Sequence, residues 1–126
     1  MPAWTLPREI RAPKNPGALT DLVPLLDRLE AAFGTRRLAE LLGVSCNTLS
    51  SWKKRREIGS DFATRVMDLH DVLVRALRVY QPQVAMDWLV GHEPFLDGAR
   101  PIDVLVLRGS APVIGALLAI EAAAYA

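Results

Sequence analysis

The sequence has 126 residues, 51% of them apolar and 23% charged, with nine prolines, eight glycines and one cysteine. That length suits one compact domain, or one small core with a second packed against it, and excludes an enzyme with separate cofactor and substrate domains. A lone cysteine makes no internal disulfide, which fits a reducing cytoplasm. The start, MPAWTLPREIRAPKNPG, places no apolar core behind its charges and is not expected to act as a signal peptide. The longest uncharged stretch, 109–120, is interrupted by Pro112 and falls well short of the roughly 20 apolar residues that a membrane span needs. The expectation is a soluble cytoplasmic protein with no membrane partner.

The net charge of +1 conceals an asymmetry. Residues 1–66 carry eleven Lys/Arg against seven Asp/Glu, whereas residues 67–126 carry four Arg against seven Asp/Glu. A basic half joined to an acidic half suggests two surfaces with different partners.

In chain order, residues 1–17 hold Pro2, Pro7, Pro13 and Pro16 without apolar periodicity, and read as a flexible arm that contains Trp4. From Ala18 the pattern is helical. Thr20 or Asp21 can cap a first helix whose stripe is Leu22, Leu25, Leu26, Leu29 and Phe33, with Pro24 in its first turn and Gly34 as its stop. Short helices near 35–42 and 46–55 follow, separated by Gly43, Val44 and Ser45. Ser60 is expected to cap a long helix to about Tyr80, with Phe62, Val66, Leu69, Leu73, Leu77 and Tyr80 on one face. Pro82 opens a helix that ends at Gly91, Pro101 opens a brief one over 102–107, and Ser110 is expected to cap the last. No strand-length alternation and no internal repeat occur. The fold class is all-α, with an arm over 1–17, a helix-turn-helix bundle over 18–80 and a smaller helical module over 81–126.

The stretch TRRLAELLGVSCNTLSSWKKRR carries the most specific signal. Ala39 is small where two helices cross, Leu42 and Val44 fill the wedge between them, and Gly43 sits where the chain turns through positive φ. Leu49 and Trp52 anchor the second helix and Ser45 caps it, which leaves its outer face free to enter a major groove. On that face lie Cys46, Asn47, Ser50, Ser51 and Lys54. Asn47 can pair bidentately with adenine, and the serines can reach base edges or phosphates. Lys53, Lys54, Arg55 and Arg56 follow at once, and Arg36 and Arg37 open the first helix. Both clusters suit phosphate neutralisation along operator double-stranded DNA. Cys46, beside a helix N-terminus and basic residues, leaves a redox-sensitive contact open. The spelling LAELLGVS followed by TLSSWKKR resembles the phage-repressor-like helix-turn-helix of the Xre class.

Little else points to chemistry. His70 and His92 are far apart in sequence with no partner at ligand spacing, so no metal is expected. His70, beside Asp68 and Asp71, reads as part of a solvated face. No phosphate loop, nucleophile triad or carboxylate pair is present, so neither an enzyme nor a cofactor is expected.

Residues 85–126 read AMDWLVGHEPFLDGARPIDVLVLRGSAPVIGALLAIEAAAYA. A WL pair, a short loop, PIDVL and a glycine-led helix ending in IE and an aromatic resemble the C-terminal domain of the MbcA/ParS/Xre family of bacterial antitoxins. The matching positions are Trp88, Leu89, Leu96, Gly98, Pro101, Asp103, Leu105, Gly109, Val113, Leu117, Ile120, Glu121 and Tyr125, and with the upstream motif the resemblance covers about residues 20–126. It implies an antitoxin of a type II toxin–antitoxin system that represses its own operon and occludes a RES-domain toxin acting on NAD. It further implies a homodimer within a larger toxin–antitoxin hetero-oligomer, nucleoid-associated when bound to DNA. The toxin-binding residues so implied are Trp88, Pro101, Asp103, Leu117, Ile120, Glu121, Ala124, Tyr125 and Ala126.

Two departures stand out. Asp97 precedes Gly98 where the family usually shows a glycine pair, and Ala123 stands where it usually has a glycine. With Ala122, Ala123 and Ala124 in place, the last helix is expected to continue. The residues themselves agree that this helix is apolar on more than one side, along Val113, Leu117, Ile120 and Ala124 and beside them Ile114, Leu118, Glu121 and Tyr125. Part of that surface should meet another chain. The other reading is a solitary helix-turn-helix regulator whose C-terminal module dimerises or senses a ligand.

Overall fold

The computed structural model describes residues 22–125, and the arm over 1–17, the caps proposed at Thr20 and Asp21, and Ala126 lie outside them. The fold is all-helical: α1 (Val23–Phe33), α2 (Thr35–Leu42), α3 (Cys46–Arg55), α4 (Ser60–Ala76), α5 (Pro82–Val90), α6 (Pro101–Arg108) and α7 (Ser110–Ala124). A single 3-10 turn, Pro94–Leu96, interrupts the chain between α5 and α6. No described helix is long and apolar enough to cross a membrane.

Glycines set the corners. Gly34 (φ 86°) ends α1 and begins α2, and Gly43 (φ 75°) turns the chain between α2 and α3. At Gly43 the Val44 amide donates to the Ala39 carbonyl at 2.9 Å and the Gly43 amide to Glu40 at 3.2 Å, closing the last turn of α2. Arg65 Nη1 on α4 donates to the Leu42 carbonyl at 3.0 Å, so another carbonyl at the end of α2 is satisfied from across the core. Prolines open α5 and α6 at their first positions, where no N–H is needed.

α4 is the central element. It packs on α1 and α2 and on α6 and α7. One continuous core runs from Leu26 and Leu29 through Val66, Leu69 and Val72 to Leu105, Val113 and Leu117. The boundary expected after Tyr80 lies in a turn, and the core passes across it without a break.

Three sequence expectations shift. α4 ends at Ala76, four residues early. Its bonds tighten, with Arg78 N–H on the Arg75 carbonyl and Val79 N–H on Ala76, and Leu77 is left 42% exposed. Tyr80 still packs inward through the turn, its ring 6.1 Å from that of Trp88. Ser60 and Ser110 are the first residues of their helices and not their caps, because Gly59 and Gly109 hold the cap positions. α7 does run on through the alanines to Ala124, as their helix propensity leads one to expect.

Candidate DNA-binding face and C-terminal helix

α2 and α3 form the helix-turn-helix pair. Ala39 is 4% exposed and Leu42 fully buried, while Leu49 and Trp52 fix α3 to the core at 1% and 4%. Trp52 stacks at a tilt on Phe62 of α4, with centroids 5.3 Å apart. Ser45 Oγ accepts from the Thr48 N–H at 3.1 Å and thereby caps α3. With one side of α3 anchored, Cys46, Asn47 and Ser50 are exposed on the other and Ser51 is half-buried. Lys54, Arg55 and Arg56 extend from the last turn into solvent, and Arg36 and Arg37 are exposed on α2. Arg56 holds φ 54°, a left-handed position that costs a non-glycine residue roughly 1–2 kcal/mol. The turn that carries this basic cluster is thus formed against local preference.

Lys53 is placed differently from its neighbours. Its Nζ bonds Glu30 of α1 and lies 3.8 Å from Asp27 Oδ1, while Thr35 Oγ1 donates to Glu30 Oε2 at 2.7 Å. The hydrogen bond from Lys53, with that from Thr35, holds the Glu30 carboxyl below its ordinary range and outweighs its partial burial. Lys53 therefore ties α3 to α1, and the phosphate contact expected of it competes with an existing ion pair. No sequence signal links residues 30 and 53, because the contact exists only once the helices cross.

His70 is half-buried on the polar side of α4, beside the exposed Asp71. Its Nε2 lies 3.5 Å from Arg28 Nη1, and burial first, then the Arg28 charge, push its pKa down. On the same helix, burial raises the Asp68 carboxyl and the Asp71 charge adds to that, against a bond from Ser110. No cluster of three or more potential metal ligands occurs among the described residues.

The residues expected to meet a protein partner fall into two groups. Pro101 and Leu117 are buried in the chain's own core, so neither offers surface to a partner in this conformation. Trp88, Ile120 and Glu121 are half-buried, and Asp103 is exposed but paired with Arg100 at 2.8 Å. Ala124 is exposed, Tyr125 is 81% exposed and Leu118 is 53% exposed along the outer side of α7.

Glu93, which no sequence signal marks, is the one charged residue among the described residues to be buried, at 5% exposure. Its Oε1 accepts from Trp88 Nε1 at 2.7 Å and its Oε2 from the Phe95 N–H at 2.7 Å. Its backbone N–H donates to Ala99 and its carbonyl accepts from Gly98, and His92 Nδ1 lies 2.7 Å from the Gly98 carbonyl. This carboxylate organises the loop between α5 and α6. Asp97 takes the left-handed position there (φ 57°) ahead of Gly98 (φ 85°), a conformation that aspartate tolerates better than most residues. No protein-family model, curated protein or solved structure matches the chain.

Proposed function

We propose that this chain is an operator-binding antitoxin, which represses its own operon through α3 and neutralises a RES-domain toxin through the outer side and end of α7. The observation that carries the reading is α3 itself. A serine-capped helix is anchored by Leu49 and Trp52, with Asn47 and Ser50 exposed and Lys54, Arg55 and Arg56 beyond them. A face that small, polar and rimmed by cations suits a major groove better than a protein core. The toxin half of the proposal rests on the C-terminal resemblance, together with the exposed Leu118 and Tyr125. Tyr125 can fill a cleft shaped for an aromatic ring while its hydroxyl finds a polar partner. A homodimer on a palindromic operator, within a larger complex with the toxin, follows from the same resemblance. The reading needs no cofactor and no catalytic residue in this chain.

The test measures both tasks on one set of variants. Asn47→Ala is expected to weaken binding to the chain's own promoter by about 1–3 kcal/mol and relax base preference at one position. The same variant should still rescue growth of cells that express the neighbouring RES-domain gene. Deletion of 120–126 should abolish rescue and leave promoter binding largely intact. Promoter binding without any rescue by the full chain would make it a solitary regulator. Unchanged promoter affinity in Asn47→Ala and Ser51→Ala alike would make the helix pair a packing unit only.

A further inference from the structure

A cleft of about 760 Å³ lies where α2 and α4 meet α6. Three guanidinium groups from three elements border it: Arg37 on α2, Arg65 on α4 and Arg100 at the start of α6. Arg65 is fixed before anything binds, since its Nη1 holds the Leu42 carbonyl at 3.0 Å and its Cζ sits 5.3 Å from the centre of the Phe62 ring. Arg100 is fixed as well, by Nε and Nη2 bonds of 2.8 and 2.9 Å to the two Asp103 oxygens. Glu40 and Asp103 also line the cleft, and Asp103 is already engaged by Arg100. With Arg100 and Asp103 cancelling each other, Arg37 and Arg65 stand against Glu40, an excess of one cation.

The remaining wall is aliphatic. Leu41 and Ile102 form its base, Val90 and Val106 are 39% and 40% exposed, and Leu107 stands 81% exposed at the edge. An inorganic anion would leave that apolar surface in water, and a purely apolar ligand would desolvate guanidinium groups without an acceptor. Only a molecule with both parts satisfies the cleft, whose volume lies within the usual range for small-molecule sites. We propose that this cleft binds an organic anion: a carboxylate or phosphate monoester carried on an aliphatic or aryl body. The anionic group sits against Arg37 and Arg65, beside the Arg100–Asp103 pair, and the body lies along Val90, Val106 and Leu107. Such a ligand contacts the helix-turn-helix and the C-terminal module together, and so holds the two halves docked. The proposal is independent of the antitoxin reading.

The full chain is titrated with anilinonaphthalene sulfonate, an aryl anion whose fluorescence rises in an apolar site. Octanoate and phenyl phosphate serve as competitors for the carboxylate and phosphate alternatives. Saturable binding displaced by at least one competitor is expected, and the more effective competitor names the anionic group. Arg37→Gln, at an exposed position outside the core, should weaken binding about tenfold or more. Arg78→Gln, an exposed cation outside the cleft, should leave it unchanged. Leu107→Glu sets a carboxylate at the edge of the cleft without touching the core, and should weaken binding independently of the Arg37 change. Binding unchanged in Leu107→Glu, or displaced by neither competitor, would overturn the proposal.

Discussion

Replacing Glu93 by alanine removes an acceptor from two donors that have no other partner in the fold. The carboxylate is 5% exposed and receives the Trp88 indole N–H and the Phe95 amide, each at 2.7 Å. Both bonds are part-buried and Phe95 is more than half exposed, so each donor left unpaired falls at the low end of about 1–3 kcal/mol, about 2 kcal/mol for the two together. In a domain of this size about 1 kcal/mol moves the melting temperature by roughly 4 °C, which sets the expected fall at about 8 °C. Glu93→Gln keeps one carbonyl acceptor but turns an NH2 group toward the second donor, and should lose about half as much. The measurement is reversible urea and thermal unfolding followed by far-ultraviolet circular dichroism on the wild type and both variants. The order wild type, Gln, Ala is expected, with Trp88 fluorescence in a background where Trp4 and Trp52 are replaced by Phe reporting the loosened loop. A Glu93→Ala protein within about 0.5 kcal/mol of wild type would refute the assignment, since surface substitutions lie in that range.

Three further outcomes are expected. Glu30 has its carboxyl held low by Lys53, so its stabilisation is present above its ordinary pKa of 4.5 and is lost as the pH falls through its lower folded value. Glu30→Gln should flatten that acid limb in a urea-midpoint series against pH. His70 has a pKa pushed below 6.5 by burial, so the folded state resists its protonation and stability declines as pH drops from 6.5 toward the lower folded value. His70→Asn should remove the decline in that window, and an unchanged slope would show that the ring's partial burial does not govern its protonation. Arg56→Gly relieves the left-handed strain while it removes a cation from the end of α3. Its melting temperature should stay within a few degrees of wild type while the slope of log affinity for DNA against log salt falls by about 1.

Local spacing made most of the helices legible. Gly34, Gly43 and Gly91 close helices, and Pro82 and Pro101 open them, because these residues act through their own backbone preferences and need no distant partner. The helix-turn-helix is readable for a related reason: Ala39, Gly43, Leu49 and Trp52 meet steric demands within a single pair of neighbouring helices. Signals fail where a residue's role depends on chain that arrives from elsewhere. Ser60 and Ser110 look like caps, yet each follows a glycine that takes the cap position. Lys53 looks like the first member of a phosphate-binding run, yet α1 places Glu30 against it. The charge count of the basic run therefore overstates what it can offer to DNA. The freely presented cations are Lys54, Arg55 and Arg56, whereas Lys53 can reach a phosphate only by leaving a carboxylate that already satisfies it.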